Sequence, residues 1–356
     1  MVRSAMSKIR IVNWLLTRKC NLKCDYCAIV KDYKQIPPAY PLMEHYIRHE
    51  MSTKVITDGL LALKKHNPNI FHIFYGGEPL LRTDLPDIIN FCNEHEIEYT
   101  IISNNTTKIQ PLIKSLFNKT EYISGFTSSV DPIIGDGSVD DKDRLRKSIE
   151  GFYRLKTMQA KGKVKDVVAE ITVMNNNLVR LPLLVGILSA EEIYSDITFV
   201  DVAKNQYYDF SNVRDYSELV RPTWDLASTL IDMHNDTSLL MHMDDVLFPK
   251  MFDTLPSNMD CGLEKGIHNI SIDADGTIRL CLRIRGTTTP KVFSITNLFD
   301  KSNPGTLNDV FQETITYDKK KFCRLCNHSC LLMSRYIDES GDGEDDLVHA
   351  DKREKV

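Results

Sequence analysis

The sequence predicts an α/β protein: a partial (β/α)6 barrel, or an open sheet of the same connectivity, followed by a small cysteine-rich unit. Three observations carry this. Short apolar, β-branched runs recur along the first 200 residues, segments with helical spacing separate them, and beyond about residue 205 the pattern gives way to short runs punctuated by cysteine.

Taken in order, strands are expected at residues 9–16, 70–75, 99–103, 123–130, 167–174 and 197–200. Helical spacing occupies 53–66, 85–95, 112–118, 142–161 and 178–189. Strict alternation argues for parallel strands with helices outside them. Six such units are two short of a closed eightfold barrel. In a partial barrel or an open sheet alike, ligands bind beyond the carboxyl ends of the strands. A further helix is expected at 223–234, and the stretch IDADGTIRLC reads as a hairpin. Residues 339–356 are charged and nearly free of apolar side chains, which predicts a disordered tail. The expected division is a core over residues 1–235, a cysteine-rich unit over 236–338 and the tail.

Composition removes several classes. The net charge of −5 lacks the concentrated basic surface that nucleic acid requires. No apolar stretch approaches the roughly 18 residues of a membrane span. The opening MVRSAMSKIR has no apolar h-region and so reads as no secretory signal. A cytoplasmic location is therefore expected, in which the nine cysteines are not a disulfide set. Cys92, alone in an apolar helical pattern, reads as a core thiol.

The segment TRKCNLKCDYCAIV follows the first strand. Thiolates bind soft metals, and Arg18, Lys19 and Lys23 favour deprotonation of Cys20, Cys24 and Cys27. Three thiols are one short of a structural zinc site, and on a 4Fe–4S cube they leave one iron open. A zinc site completed by a distant histidine, such as His45 or His72, and unliganded thiols are the competing readings of the spacing. CNLKCDYC resembles the CxxxCxxC signature of the radical SAM superfamily, with the aromatic Tyr26 before the third cysteine. The resemblance implies that the three cysteines hold a 4Fe–4S cluster whose fourth iron is chelated by S-adenosylmethionine. It also implies reductive cleavage of that cosubstrate to a 5′-deoxyadenosyl radical, which removes a hydrogen atom from substrate. A low-potential electron donor of the flavodoxin or ferredoxin type is an implied partner.

The second strand ends in IFYGGEPLL. Two glycines allow close backbone approach, and a neighbouring carboxylate can receive an ammonium group. In position it resembles the family's GGEP motif, which implies that Gly76, Gly77, Glu78 and Pro79 meet the amino group of S-adenosylmethionine. IISNNT ends the third strand and resembles the family's polar segment near the cosubstrate, implicating Ser103 and Asn104. FTSSVDP ends the fourth and resembles its ribose-contacting segment, implicating Ser129 and Asp131. Lys142, Arg144 and Arg146 are the basic residues available for the methionine carboxylate.

The second cysteine group runs from Cys261 through Cys281 to CRLCNHSC. Its order resembles the SPASM domain, or its shorter twitch form, which carries auxiliary 4Fe–4S clusters. Two fully ligated cubes need about eight thiolates, and this region supplies Cys261, Cys281, Cys323, Cys326 and Cys330. One auxiliary cluster is expected, with Cys261, Cys281, Cys323 and Cys326 as first choice and Cys330 as an alternative ligand or a spare. Two separated cysteines plus CxxC also suit a zinc ribbon. His268 and His328 read as side chains outside the ligand set.

The family resemblance implies a fold, a partial TIM barrel with an auxiliary domain, and an activity on a peptide, protein or small-molecule substrate. Only eight residues precede the first strand, which counts against a ribosomal-peptide substrate without excluding one, since a recognition domain can be a separate protein. The alternative is a non-catalytic iron–sulfur carrier or metal-binding protein. Gly76–Pro79 discriminates, because a carrier needs no cosubstrate site. The long segment over residues 31–51 reads as a substrate cover, a docking segment or ordinary surface packing.

Overall fold

The computed structural model describes residues 9–22, 50–106, 108–130, 139–173, 179–199, 224–243, 269–276 and 278–279. Strand and helix alternate as the periodicity requires: β1 (Ile11–Thr17), α1 (Thr53–His66), β2 (Phe71–Gly76), α2 (Leu85–Glu94), β3 (Tyr99–Ser103), α3 (Gln110–Lys119) and β4 (Ile123–Ser129). Then come α4 (Val139–Ala160), β5 (Val164–Val173), α5 (Leu181–Ala190), β6 (Tyr194–Phe199), α6 (Trp224–Asn235) and β7 (Met241–Met243). Two short strands, β8 (Asn269–Ile272) and β9 (Ile278–Arg279), complete the described chain.

All nine strands form one sheet, in the order β7-β6-β5-β4-β3-β2-β1-β8-β9. The run β1 to β7 is parallel and in chain order, the arrangement a partial barrel requires, and within the described residues it does not close. The six expected units are present with ends shifted by a few residues, and β7 is an additional strand.

β8 extends the core sheet on the free side of β1. It pairs in parallel with β1, Val12 opposite Ile270 and Trp14 opposite Ile272, and then folds back antiparallel onto β9. Residues 269–279 do form the expected hairpin, but they belong to the core sheet, as does β7. A four-residue strand has too little sequence to declare which edge it joins, and β1 offers an unpaired row of backbone groups on that side. The cysteines beyond the hairpin and the charged tail lie outside the described residues.

The helices pack on one face of the sheet. Trp14, Phe74, Ile101, Phe126 and Ile171 from the strands and Leu60, Ile88, Phe152 and Leu184 from the helices are all buried there. Cys92 is fully buried in α2, and burial pushes its thiol well above the usual range, so it is the expected core thiol. His72 is likewise a core residue: Trp14 Nε1 donates to its Nδ1 at 3.0 Å, and burial lowers its pKa to about 3. That environment removes it from the zinc reading. The opposite face is only half-buried and more polar, with Thr100 and Thr127 hydrogen-bonded across β3 and β4 at 3.0 Å. No helix among the described residues is long and apolar enough to cross a membrane.

Candidate cluster and cosubstrate site

The carboxyl ends of β1, β2 and β3 meet in one hydrogen-bonded constellation. At the end of β1, Thr17 Oγ1 donates to Glu50 Oε1 (2.6 Å) and accepts from Lys19 N (3.1 Å), while Arg18 N donates to the same Glu50 oxygen (3.4 Å). These bonds turn the chain out of the sheet and deliver Cys20. Arg82 clamps the turn from below: its guanidinium donates to Leu16 O (2.8 Å) and Met51 O (3.0 Å) and is held by both oxygens of Asp84.

β2 stays paired with this exit beyond the sheet. Gly77 N donates to Thr17 O (2.7 Å) and Glu78 N to Lys19 O (2.8 Å). A Cβ on Gly76 would overlap Thr17 O, and one on Gly77 would overlap Lys19 O. The glycines are therefore required by the approach of two protein backbones, a reason distinct from the ligand approach expected from sequence.

Glu78 is fully buried at the start of a short 3-10 turn, Pro79–Leu81, with Pro79 also buried. Its Oε1 accepts from Leu80 N (3.2 Å) and Ser103 Oγ (3.0 Å), and its Oε2 from Asn104 N (2.9 Å). Burial pushes its pKa above the ordinary carboxylate value, and these three hydrogen bonds oppose the shift. A carboxylate oxygen has two acceptor sites, so Oε2 keeps capacity for a further donor.

The β3 exit closes the constellation. Asn104 Nδ2 donates to Asn21 Oδ1 (2.8 Å) and lies 4.0 Å from Cys20 Sγ, while Leu22 N donates to that sulfur at 3.4 Å. Asn21 Nδ2 reaches Thr106 Oγ1 (3.0 Å), and Thr106 in turn bonds Asn104 Oδ1. The buried Asn105 takes a positive φ of 46° and donates its N–H to Ser103 Oγ (3.2 Å). Cys20, Gly76, Gly77, Glu78, Pro79, Ser103 and Asn104 thus share one site. Thr17, Asn21, Glu50 and Thr106 join it without having been singled out from sequence. Asn21 and Thr106 sit inside the quoted motifs, but nothing in their spacing announced the bond between them.

Ser129 is half-buried at the end of β4, opposite Glu170, and takes no part in this network. Arg146 is exposed on α4 and pairs with Glu150 at 3.0 Å. Cys24, Tyr26, Cys27, Asp131, His45, Cys261, His268, Cys281, Cys323, Cys326, His328 and Cys330 lie outside the described residues, as does nearly all of the 31–51 segment.

The donor chemistry fits an iron–sulfur cluster. N–H groups already point at Cys20 Sγ, and Arg18 and Lys19 precede it, conditions that favour a thiolate. Residues 14–175 match the Radical SAM superfamily. That match runs from β1 to just past β5 and takes in a little under half of the chain. Among curated relatives, Fe-coproporphyrin III synthase of Methanosarcina barkeri is 29% identical over 54% of this chain and 44% of its own length. PqqA peptide cyclase of Xanthomonas campestris is 23% identical over 61% of this chain and 52% of its own. The chain spans about half the length of these relatives. Among solved structures, Streptococcus suis SuiB bound to S-adenosylmethionine has a TM-score of 0.55 at 16% identity, covering 92% of this chain and 70% of SuiB. SuiB bound to its precursor peptide SuiA gives 0.56 at 15%, covering 91% and 69%. These likenesses show the fold, an open parallel α/β barrel.

Proposed function

We propose that this chain is a radical SAM enzyme that abstracts a hydrogen atom from a peptide or protein side chain. Cys20, Cys24 and Cys27 would hold the cluster. The chemistry such a cluster supplies when bound is reductive cleavage of S-adenosylmethionine to methionine and a 5′-deoxyadenosyl radical. The observation that carries the reading is the joining of the cysteine exit, Gly76–Pro79 and the β3 exit into one buried network, which an electron carrier has no need to build.

In this reading each residue has a task. Gly76 and Gly77 bring the β2 exit against the cysteine loop, Glu78 presents negative charge for the cosubstrate ammonium, and Ser103 and Asn104 fix that carboxylate. Ser129 and Asp131 would meet the ribose. Substrate would lie over the half-buried polar face of the sheet, beyond the strand ends where α/β proteins place their ligands. The choice of a peptide draws on SuiB and PqqA peptide cyclase, whose names and complexes specify peptides. A small molecule is the other substrate class. Cys261, Cys281, Cys323, Cys326 and Cys330 supply the ligands of one auxiliary 4Fe–4S cluster, and a flavodoxin- or ferredoxin-type protein supplies electrons.

Anaerobic reconstitution followed by dithionite and S-adenosylmethionine tests the proposal. Wild-type protein is expected to form 5′-deoxyadenosine, and the Cys20→Ala, Cys24→Ala and Cys27→Ala variants none. Equal product from the triple variant would reject it.

A further inference from the structure

We propose that Asp273, in the turn of the β8–β9 hairpin, is a positioning residue of the first cluster site, acting through Arg18. This goes beyond the reading above and rests on it only in taking Cys20 as a cluster ligand. Arg18 Nη2 donates to Asp273 Oδ1 at 2.5 Å, across 255 residues of sequence. Their side chains keep only 12% and 4% of their exposure, so the pair is shielded from the water that makes surface ion pairs weak. Arg18 Nε is buried with no acceptor among the described residues, which leaves the guanidinium dependent on the carboxylate it does meet.

The turn is built to hold that carboxylate still. Ala274 N donates to Asp273 Oδ1 (2.8 Å), and Gly276 N to Asp273 O (2.8 Å), with Gly276 at φ 87°. Met51 N donates to Ala274 O (2.7 Å), and Met51 O is held by Arg82, which also holds Leu16 O. Both ends of the β1 exit are thereby fixed: Leu16 by Arg82 and Arg18 by Asp273, with Cys20 two residues further on. The hairpin is a latch on the cysteine loop. β9 ends at Arg279, two residues before Cys281 in the sequence.

Loss of either partner strands a buried charge and releases the loop, whereas exchange of the two charges restores it. The test uses the full chain as Asp273→Asn, Arg18→Gln and the double variant Arg18→Asp with Asp273→Arg. In metal-free protein, amide hydrogen exchange at residues 18–22 should quicken about tenfold or more in each single variant and return toward wild type in the double variant. In reconstituted protein, the first cluster should be stripped by an iron chelator at least several-fold faster in the single variants. Unchanged exchange at residues 18–22 in both single variants would overturn the proposal. So would exchange that rises equally across β3 to β6, because the pair would then be holding the whole sheet and not the Cys20 exit. Failure of wild-type protein to cleave S-adenosylmethionine would reject the proposed function while leaving the exchange result to stand alone.

Discussion

Ser103, at the end of β3, donates its hydroxyl to Glu78 at the end of β2 at 3.0 Å, and both side chains are sealed from solvent. One buried bond therefore joins the motif proposed to meet the cosubstrate to the strand that carries Asn104 toward Cys20.

Glu78→Gln is expected to act twice. An amide offers one oxygen where the carboxylate offers two, so one of the donors from Leu80, Ser103 and Asn104 loses its acceptor. The predicted cost is about 1–3 kcal/mol in urea unfolding, and cosubstrate affinity should fall about ten- to hundredfold. Burial raises the Glu78 pKa above the ordinary 4.5, so the folded chain keeps this proton at pH values where the unfolded chain has lost it. Unfolding free energy then falls as pH rises from 4.5 through the folded value, and the variant should lack that part of the slope. A variant with wild-type affinity and slope would remove Glu78 from the site.

Gly77→Ala drives a methyl group into Lys19 O and Gly186→Ala drives one into open space. The first should lower stability by about 1–3 kcal/mol or more and lower iron content with it. The second lies inside α5 and should stabilise by about 0.5–1 kcal/mol, because glycine is a poor helix residue. Equal effects of the two substitutions on melting temperature would contradict the close approach at the β2 exit.

His72 ties the core to pH. Its folded pKa of about 3 lies below the ordinary 6.5, so the unfolded chain binds a proton that the folded chain refuses. The associated stability is complete above pH 6.5 and is lost as pH falls toward 3, by up to about 5 kcal/mol. Urea midpoints measured from pH 7 to pH 4 should fall in wild type and fall less in His72→Gln, which is also weaker at neutral pH. Parallel curves would show that His72 is not the titrating group.

The C-terminal cysteines should hold metal without the first group. Wild-type protein is expected to carry about eight irons and the Cys20/Cys24/Cys27 triple alanine variant about four, if both sites are 4Fe–4S. Zinc in anaerobically purified protein would reject the auxiliary cluster and leave a structural ribbon.

The alternation of strands and helices through β6 was legible because each core strand carries enough β-branched and apolar residues to declare a period. β7 was not, since three residues carry no period, and the hairpin of β8 and β9 was legible without its place beside β1, because a sheet edge assembled elsewhere chooses that partner. The site was legible where chemistry leaves a motif, at Cys20 and Gly76–Pro79. Glu50 and Asp273 stayed hidden, and Arg18 was read only as nearby positive charge, because their roles arise from bonds across 32 to 255 residues, which local spacing does not record. Even the glycines were found for one reason and are required for another: the close approach at Gly77 is to Lys19 of the same chain.

The most direct measurement of the central claim is hyperfine spectroscopy of the reduced protein with S-adenosylmethionine labelled with nitrogen-15 at its amino group. The account predicts a nitrogen coupling to the cluster in wild type, weakened in Glu78→Gln and absent when Cys20, Cys24 and Cys27 are replaced. A reduced cluster on those three cysteines that binds the labelled cosubstrate with no nitrogen coupling would contradict it.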